Sequence, residues 1–337
     1  MSEEEDLDSL GVKPGAVLTS PKSKFVLIKL LGEGGFGAVF LVQDMTSRNK
    51  ERPKYALKVE KKLDNRRHSK LKMEVAILKE VSSMRTSKIG LKDPERYLRH
   101  FTDIVDRAKK DRYFFLVMQL VGKSLADLRL ERKDKLLPVG TGLSVCFQCL
   151  EAVQVLHVAG YIHRDLKPAN YACGLGDKAH VIYLLDFGIA RMFMKRIENN
   201  KKELKTPRTM VLFKGTVKFA SISCHKNLEM GAKDDCESWI YLLIDLMIPK
   251  GLPWKRDSEK NEVLKKKLLF RENPHFGNVK CEEDLVKVYK YVDSLNYSDT
   301  MDYEFVYTLL KSAAKVAKVD LDAPYEWENP TTENTKK

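Results

Sequence analysis

The apolar residues of this chain change their period part-way along it, and that change limits the folds open to it. In residues 24–44, "KFVLIKLLGEGGFGAVFLVQD", apolar and β-branched residues flank a glycine cluster, which reads as strand, turn, strand. "KYALKVE" (54–60) reads as a third strand, and "FTDIVDRAKKDRYFFLVMQL" (101–120) as a hairpin. One segment interrupts them: "HSKLKMEVAILKEV" (68–81) sets Leu71, Val75, Leu78 and Val81 at helical spacing. After "VGKSL" (121–125) helical periodicity dominates, over about 139–159, 234–248 and 282–318, with Gly160 where a helix C-cap belongs. The expectation is a β-rich smaller lobe, a short connector near 119–123 and a larger helical lobe.

A chain of 337 residues that is 43% hydrophobic can fill the core of one large domain or two lobes. The longest apolar run noted, "WIYLLIDLMI" (239–248), is too short to span a bilayer and contains Asp245, so no membrane insertion is expected. The first ten residues carry five acids and lack a signal-peptide pattern. A soluble protein of the cytoplasm, and also of the nucleus, is expected. Residues 1–21, acidic and then broken by Gly11, Pro14, Gly15 and Pro21, are expected to be disordered, and the tail 326–337 polar and frayed. The net charge of +13 admits nucleic acid, a membrane surface or acidic substrates, and does not choose among them. No aromatic-interleaved basic strand or zinc finger supports specific nucleic-acid binding. Cys146 and Cys149 form a lone CxxC inside a helical run, which fits two buried thiols better than zinc or redox chemistry.

Gly32-Glu33-Gly34-Gly35-Phe36-Gly37 leads into a second strand rather than a helix, which argues against a dinucleotide fold. It fits a flap whose backbone N–H groups close over nucleotide phosphates, with Val39 against the base, although a plain glycine hairpin has the same pattern. Lys58, ending an apolar strand, can reach phosphate oxygens, and Glu74 lies beside the apolar face of the next helix, where it could position that lysine. "YIHRDLKPAN" (161–170) places Asp165, Lys167 and Asn170 within six positions, a density of polar residues that core packing does not require. Asp165 could orient an attacking hydroxyl, Lys167 neutralise a phosphoryl group, and Asn170 give an oxygen to magnesium. Asp186 of "LLDFGIA", after an apolar run, provides the second metal ligand, with Phe187 as anchor and Gly188 as pivot.

With these motifs in this order, the sequence resembles the eukaryotic protein kinases over about residues 22–325. The resemblance implies an α+β, bilobal protein-kinase fold: a β-rich N-lobe (22–118), a hinge (119–122) and a mainly α-helical C-lobe (123–325), binding ATP and magnesium. It implies phosphoryl transfer to protein substrates. Lys167 after Leu166 resembles the Ser/Thr class, and Thr216 in "KGTVKFA" resembles the threonine that bridges the catalytic Asp and Lys. Ala220-Ser221-Ile222-Ser223 is similar to the segment that replaces Ala-Pro-Glu in the casein kinase 1 superfamily, and Asp235 to the buried aspartate that orients the catalytic loop. "LKMEVAILK", "HKNLEMGAKDD" and "GLPWKR" resemble the tau-tubulin kinase branch, of which this chain would be a divergent member. By the same alignment Met118 is the gatekeeper, Gln119, Leu120 and Val121 the hinge, and Ala56 another cofactor-binding residue. Lys214 and Lys218 are placed like a basic pocket for a substrate phosphate or carboxylate, so acidic or phosphorylated substrates are expected, of a monomeric enzyme. The rival readings are a pseudokinase scaffold that binds without catalysis, and a metabolic kinase, which the full activation segment disfavours.

Overall fold

The computed structural model describes residues 7–34, 37–49, 51–62, 69–87, 93–198 and 201–328. The chain divides into two compact units. Unit 1 is Met1–Ile89 with Phe101–Val121 and Asp186–Gly188, and unit 2 is Gly90–His100 with Gly122–Leu185 and Ile189–Lys337.

Unit 1 is one antiparallel sheet and a helix. Its strands are β1 (Val17–Thr19), β2 (Lys24–Gly34), β3 (Gly37–Asp44), β4 (Lys54–Lys61), β5 (Ile104–Lys109) and β6 (Tyr113–Gln119), in the order β1-β2-β3-β4-β6-β5. Direct cross-strand partners share a face and neighbours alternate. The pairs Val39↔Lys58 and Ala56↔Met118 therefore put Val39, Ala56, Lys58 and Met118 on one face. Phe40, Leu57, Val59, Phe115 and Val117 point to the other, where they form a core cluster with Phe25 and Leu27. A Cβ on Gly37 would lie 1.9 Å from the Val59 carbonyl oxygen, so the approach of β3 to β4 requires glycine there.

The outer face is closed by the chain's own N-terminal segment. Leu7, Val12 and Leu18 are buried in that cluster, and β1 pairs with β2 through Val17↔Val26. This corrects the expectation of disorder over 1–21 for residues 7–21: the acids and prolines are interleaved with apolar residues that the sheet needs as cover. Residues 1–6 lie outside the described residues.

Helix α1 (Lys70–Ser87) starts on a borrowed cap. The buried carboxylate of Glu60, on β4, accepts from the backbone N–H groups of Lys70 (3.0 Å) and Leu71 (2.6 Å) and from Ser69 Oγ (2.6 Å). It thereby satisfies donors that a helix start leaves unpaired.

Unit 2 holds α2 (Pro94–Leu98), α3 (Leu125–Leu130), α4 (Val139–Ala159), α5 (Ile222–His225), α6 (Ala232–Met247), α7 (Lys260–Glu272), α8 (Glu282–Ser294) and α9 (Tyr303–Ala317). Three short antiparallel pairs join β7 (Tyr161–Ile162) to β10 (Arg191–Met192), β8 (Tyr171–Cys173) to β9 (Ile182–Leu184), and β11 (Met194–Arg196) to β12 (Lys202–Leu204). Helix α4 is long and apolar enough to cross a membrane, but most of it is buried inside unit 2. Trp239 of α6 ties to it by donating from Nε1 to the Cys146 carbonyl at 2.8 Å. Gly160 caps α4 in the left-handed region, φ 95°. All six cysteines are free and buried, and burial raises the Cys146 thiol far above its ordinary pKa. The described residues contain no group of three metal-ligating side chains.

The expected fraying of 326–337 is corrected over Glu326–Glu328. Thr141 Oγ1 donates to Glu326 at 2.9 Å, Trp327 Nε1 to the Ala179 carbonyl at 3.2 Å, and Glu328 meets His180 Nδ1 at 2.8 Å. Residues 329–337 lie outside the described residues.

If the N-terminal segment is core, Leu7→Ala should lower unfolding free energy by about 2 kcal/mol or more, the ordinary cost of a buried leucine. Urea denaturation followed by circular dichroism and by hydrogen exchange of the unit 1 strands would read this. A disordered segment would leave the midpoint unchanged.

Candidate active site

In unit 2 the loop after β7 is organised by one buried aspartate of α6. Asp235 Oδ2 accepts from the His163 amide (2.6 Å) and Oδ1 from the Arg164 amide (2.9 Å), while His157 Nε2 lies 2.9 Å from Oδ2. Burial raises an aspartate's pKa, but His157 and these donors outweigh it and hold Asp235 below its usual value. Arg164 has φ 69°, a left-handed conformation that L-residues rarely adopt. The two amide bonds to Asp235 fix it there. His163 is fully buried and bridges the Asp165 amide (3.3 Å) and the Leu185 carbonyl (3.1 Å).

The turn this enforces presents Asp165, whose carboxylate is held at both oxygens. Thr216 Oγ1 donates to Oδ1 at 2.7 Å, Lys167 Nζ lies 2.8 Å from Oδ2, and Lys167 also donates to Thr216 Oγ1 at 3.0 Å. Gly215, at φ 105°, allows this: a Cβ there would sit 2.4 Å from the Arg164 carbonyl oxygen. Asn170 Nδ2 donates to the Asp165 carbonyl at 2.8 Å, which leaves its amide oxygen as an acceptor suited to a hard cation. The sequence-predicted residues Asp165, Lys167, Asn170 and Thr216 are therefore brought together.

Unit 1 brings together the others. Lys58 Nζ is 2.6 Å from Glu74 Oε2 and 3.0 Å from Asp186 Oδ1. Burial lowers the lysine's pKa, but the two carboxylates outweigh it and raise it above the ordinary value, so Lys58 is charged at neutral pH. Asp186 has φ 61° and takes the Gly188 amide at 3.3 Å, and buried Phe187 stacks on Phe101 with ring centroids 5.8 Å apart. Its exposed carboxylate is an oxygen donor of the kind magnesium accepts. Gly32, Glu33 and Gly34 pair with Val39, Ala38 and Gly37 across the loop, whose tip, Gly35 and Phe36, lies outside the described residues. In the hinge, the Gln119 amide donates to the Asp103 carbonyl at 3.0 Å; Leu120 and Val121 follow it out of the sheet.

The expected Lys214–Lys218 anion site is corrected at one of its members. Lys218 Nζ is 2.5 Å from Asp245 Oδ1, a buried carboxylate that also binds Arg129 at 2.8 Å, so its charge is already matched. Lys214 is exposed. The dense basic cluster lies elsewhere. Arg208 makes a two-pronged pair with Glu229 (2.6 and 3.0 Å), and Arg191 lies 3.4 Å from the same carboxylate. Arg164 is near enough that burial and Arg191 together lower its pKa to about 10. Sequence reasoning missed Arg191, Arg208 and Glu229 because they come from three separate segments. The one available signal was the excess of basic residues between 195 and 218.

Residues 25–306 match the protein kinase domain. A Dictyostelium discoideum protein named "Probable serine/threonine-protein kinase" is 29% identical over 334 residues, 96% of this chain; the chain spans 60% of that relative's length. "Serine/threonine-protein kinase spe-6" of Caenorhabditis elegans is 30% identical over 336 residues, covering 96% of this chain and 82% of the relative. Other relatives bear the names "Probable casein kinase I homolog" (Encephalitozoon cuniculi) and "Inactive tau-tubulin kinase ttbk-6" (Caenorhabditis elegans). The structure of vaccinia related kinase 3 superposes with a TM-score of 0.75 at 19% identity, covering 92% of this chain and 93% of that one, which establishes the fold. That fold is the bilobal protein-kinase fold, with unit 1 as the β-rich N-lobe and unit 2 as the helical C-lobe. The chain belongs to the protein kinase family, among the serine/threonine kinases, as a divergent casein-kinase-1-like member.

Asp235→Asn leaves one acceptor where two amides need one each. It should cost about 1.5–3 kcal/mol, the range for a hydrogen bond to a charged group. Because the native pKa of Asp235 is depressed, this stability is present above the unfolded value of about 4 and is lost as pH falls through the lower native value. The gap in unfolding free energy between wild type and Asp235→Asn should therefore be widest near neutrality and close under acid, as chemical denaturation across pH would read.

Proposed function

We propose that this chain is an active protein kinase that transfers the γ-phosphate of ATP to serine or threonine of protein substrates. The observation that carries the proposal is the closed triangle of Asp165, Lys167 and Thr216: a carboxylate held at both oxygens beside a lysine, within one unit. Asp165 would orient the attacking hydroxyl and receive its proton, and Lys167 would stabilise the phosphoryl oxygens in transfer. Lys58, aligned by Glu74, would hold the ATP phosphates under the Gly32–Gly37 loop. Adenine would lie against the sheet face that carries Val39, Ala56 and Met118. The Gln119 amide is engaged with Asp103, so hinge N–H donors to adenine would come from Leu120 and Val121. Asp186 and Asn170 would each supply an oxygen to magnesium. Bound magnesium supplies neutralisation of charge on the phosphate oxygens. Most of the acceleration would come from positioning and preorganised charge.

Acidic or phosphate-primed protein substrates, and a tau-tubulin-kinase-like subtype, are the finer reading. It is supported by the basic run between 195 and 218 and by three arginines around the single carboxylate of Glu229. The alternative, a scaffold that binds nucleotide without catalysis, draws on the relative named inactive.

The test is transfer of labelled phosphate from magnesium–ATP to casein and to a phosphorylated acidic peptide. Asp165→Asn should lower kcat by about a hundredfold or more, the usual share of a positioned acid or base. Asp186→Asn should abolish transfer. Folded wild-type chain that binds ATP but transfers nothing to either substrate would favour the scaffold.

A further inference from the structure

Lys267 is a lysine where helix α7 has no evident use for one. It is fully buried, at 0% exposure, and among the described residues no carboxylate lies within ion-pair distance of it. Buried lysines are ordinarily paired. Its Nζ donates to the Val217 carbonyl (3.2 Å) and the Ala220 carbonyl, and meets His225 Nε2 at 3.2 Å. The rings of Tyr241 and Trp254 stand 4.7 and 5.3 Å from it, faces that attract a cation.

What the ammonium holds is the segment directly after Thr216. The Phe219 and Ala220 amides both donate to the Thr216 carbonyl at 2.9 Å, making a tight turn. The carbonyls of Val217 and Ala220 converge on Lys267, while Trp254 Nε1 takes the Lys218 carbonyl at 2.8 Å. Converging carbonyl dipoles favour a cation, as at a helix C-terminus. Three N–H bonds of an ammonium match the three acceptors when His225 is neutral with its proton on Nδ1, so that Nε2, which also lies 3.2 Å from the Val217 carbonyl, accepts from Lys267. Burial and the charge of Lys267 push His225 down to about 4, so it is neutral.

We infer that Lys267 is a positioning residue: its ammonium sets the turn 216–220, and through it the Thr216 hydroxyl on Asp165 and the surface that receives the protein substrate beside the reacting hydroxyl. The inference rests on the kinase reading of Asp165 and Thr216. It assigns Lys267 to the protein substrate and not to ATP, because every group it touches lies in unit 2, on the segment after Thr216, on α5 or on its aromatic cage.

The charge is also poised. Burial lowers the pKa of Lys267 to about 7 despite Glu237 and Cys224 nearby. The groups facing it are His225 and Cys224 of α5, Glu237 and Tyr241 of α6, and Trp254; Lys260 of its own helix acts on His225. Loss of a proton leaves two N–H bonds for the two carbonyls but removes the charge that the carbonyl dipoles and the ring faces attract, so the grip on the turn should loosen above neutrality.

Lys267→Met keeps the length and removes the charge. Hydrogen–deuterium exchange should become about tenfold faster in residues 214–222 while α4 and α6 are unchanged. The kcat/KM for casein should fall about tenfold with the KM for ATP kept within about twofold. A folded Lys267→Met chain with wild-type exchange in 214–222 would overturn the inference, whatever its activity. If the wild type transfers no phosphate, the kinase reading fails and the exchange comparison still decides the role of Lys267. Should Lys267→Met not fold, the wild type is compared at about pH 6 and 8.5, corrected for intrinsic exchange. Protection of 214–222 that drops about threefold supports the inference, and flat protection overturns it.

Discussion

The bond pair from the amides of His163 and Arg164 to Asp235 is the constraint on which the reactive loop depends. A left-handed arginine is a conformation the chain would leave at an energy of order 1–3 kcal/mol. It is kept because a buried carboxylate offers one oxygen to each of two successive amides. The carboxylate is itself held in place, since α6 is fastened to α4 through Trp239 and Asp235 Oδ2 meets His157 Nε2. From this base the turn projects Asp165, and Gly215 lets Thr216 come close enough to close the triangle.

Unit 1 uses the same device with the opposite emphasis. Glu60 receives the amide start of α1, which sets the helix on the sheet and so places Glu74 toward Lys58. Two carboxylates around one ammonium leave Lys58 charged and centred on a sheet face otherwise lined by Val39, Ala56 and Met118. The opposite face packs against Leu7, Val12 and Leu18 of the N-terminal segment.

How much of this was readable in sequence depended on whether a residue's partner lay close by in the chain or in a motif of fixed order. The glycine loop, Lys58, Glu74, Asp165, Lys167, Asn170 and Asp186 follow one another in such an order; the structure joins Lys58, Glu74 and Asp186 in unit 1, and Asp165, Lys167 and Asn170 in unit 2. Lys218 read as an available cation because Asp245, its partner, sits inside the apolar run "YLLIDLMI" and gives no sign of which way it faces. Leu7 and Val12 were hidden among acids and prolines, where composition outweighs two apolar residues whose partners lie on the sheet. Helix α7 escaped notice because "KNEVLKKKLLFRE" is mostly charged; its buried residues, Val263, Lys267 and Phe270, include a lysine that periodicity counts as solvent-facing.

The buried charges share a logic that apolar packing could not supply. Each meets backbone groups whose geometry has to be fixed one bond at a time: Asp235 the amides of 163 and 164, Glu60 those of 70 and 71, Glu237 the amide of Ile222 at 2.8 Å. Lys267 completes the set with the carbonyls of 217 and 220. The segment 216–222 is thus gripped by a cation at its carbonyl end and by an anion at the amide that starts α5. An ion buried without close countercharge is costly, and a hydrophobic side chain of similar size is often as stable or more so. Stability alone would therefore not keep a lysine in the aromatic cage of Tyr241 and Trp254. Directionality would: an ammonium selects one arrangement of the carbonyls, and an apolar filler would accept many.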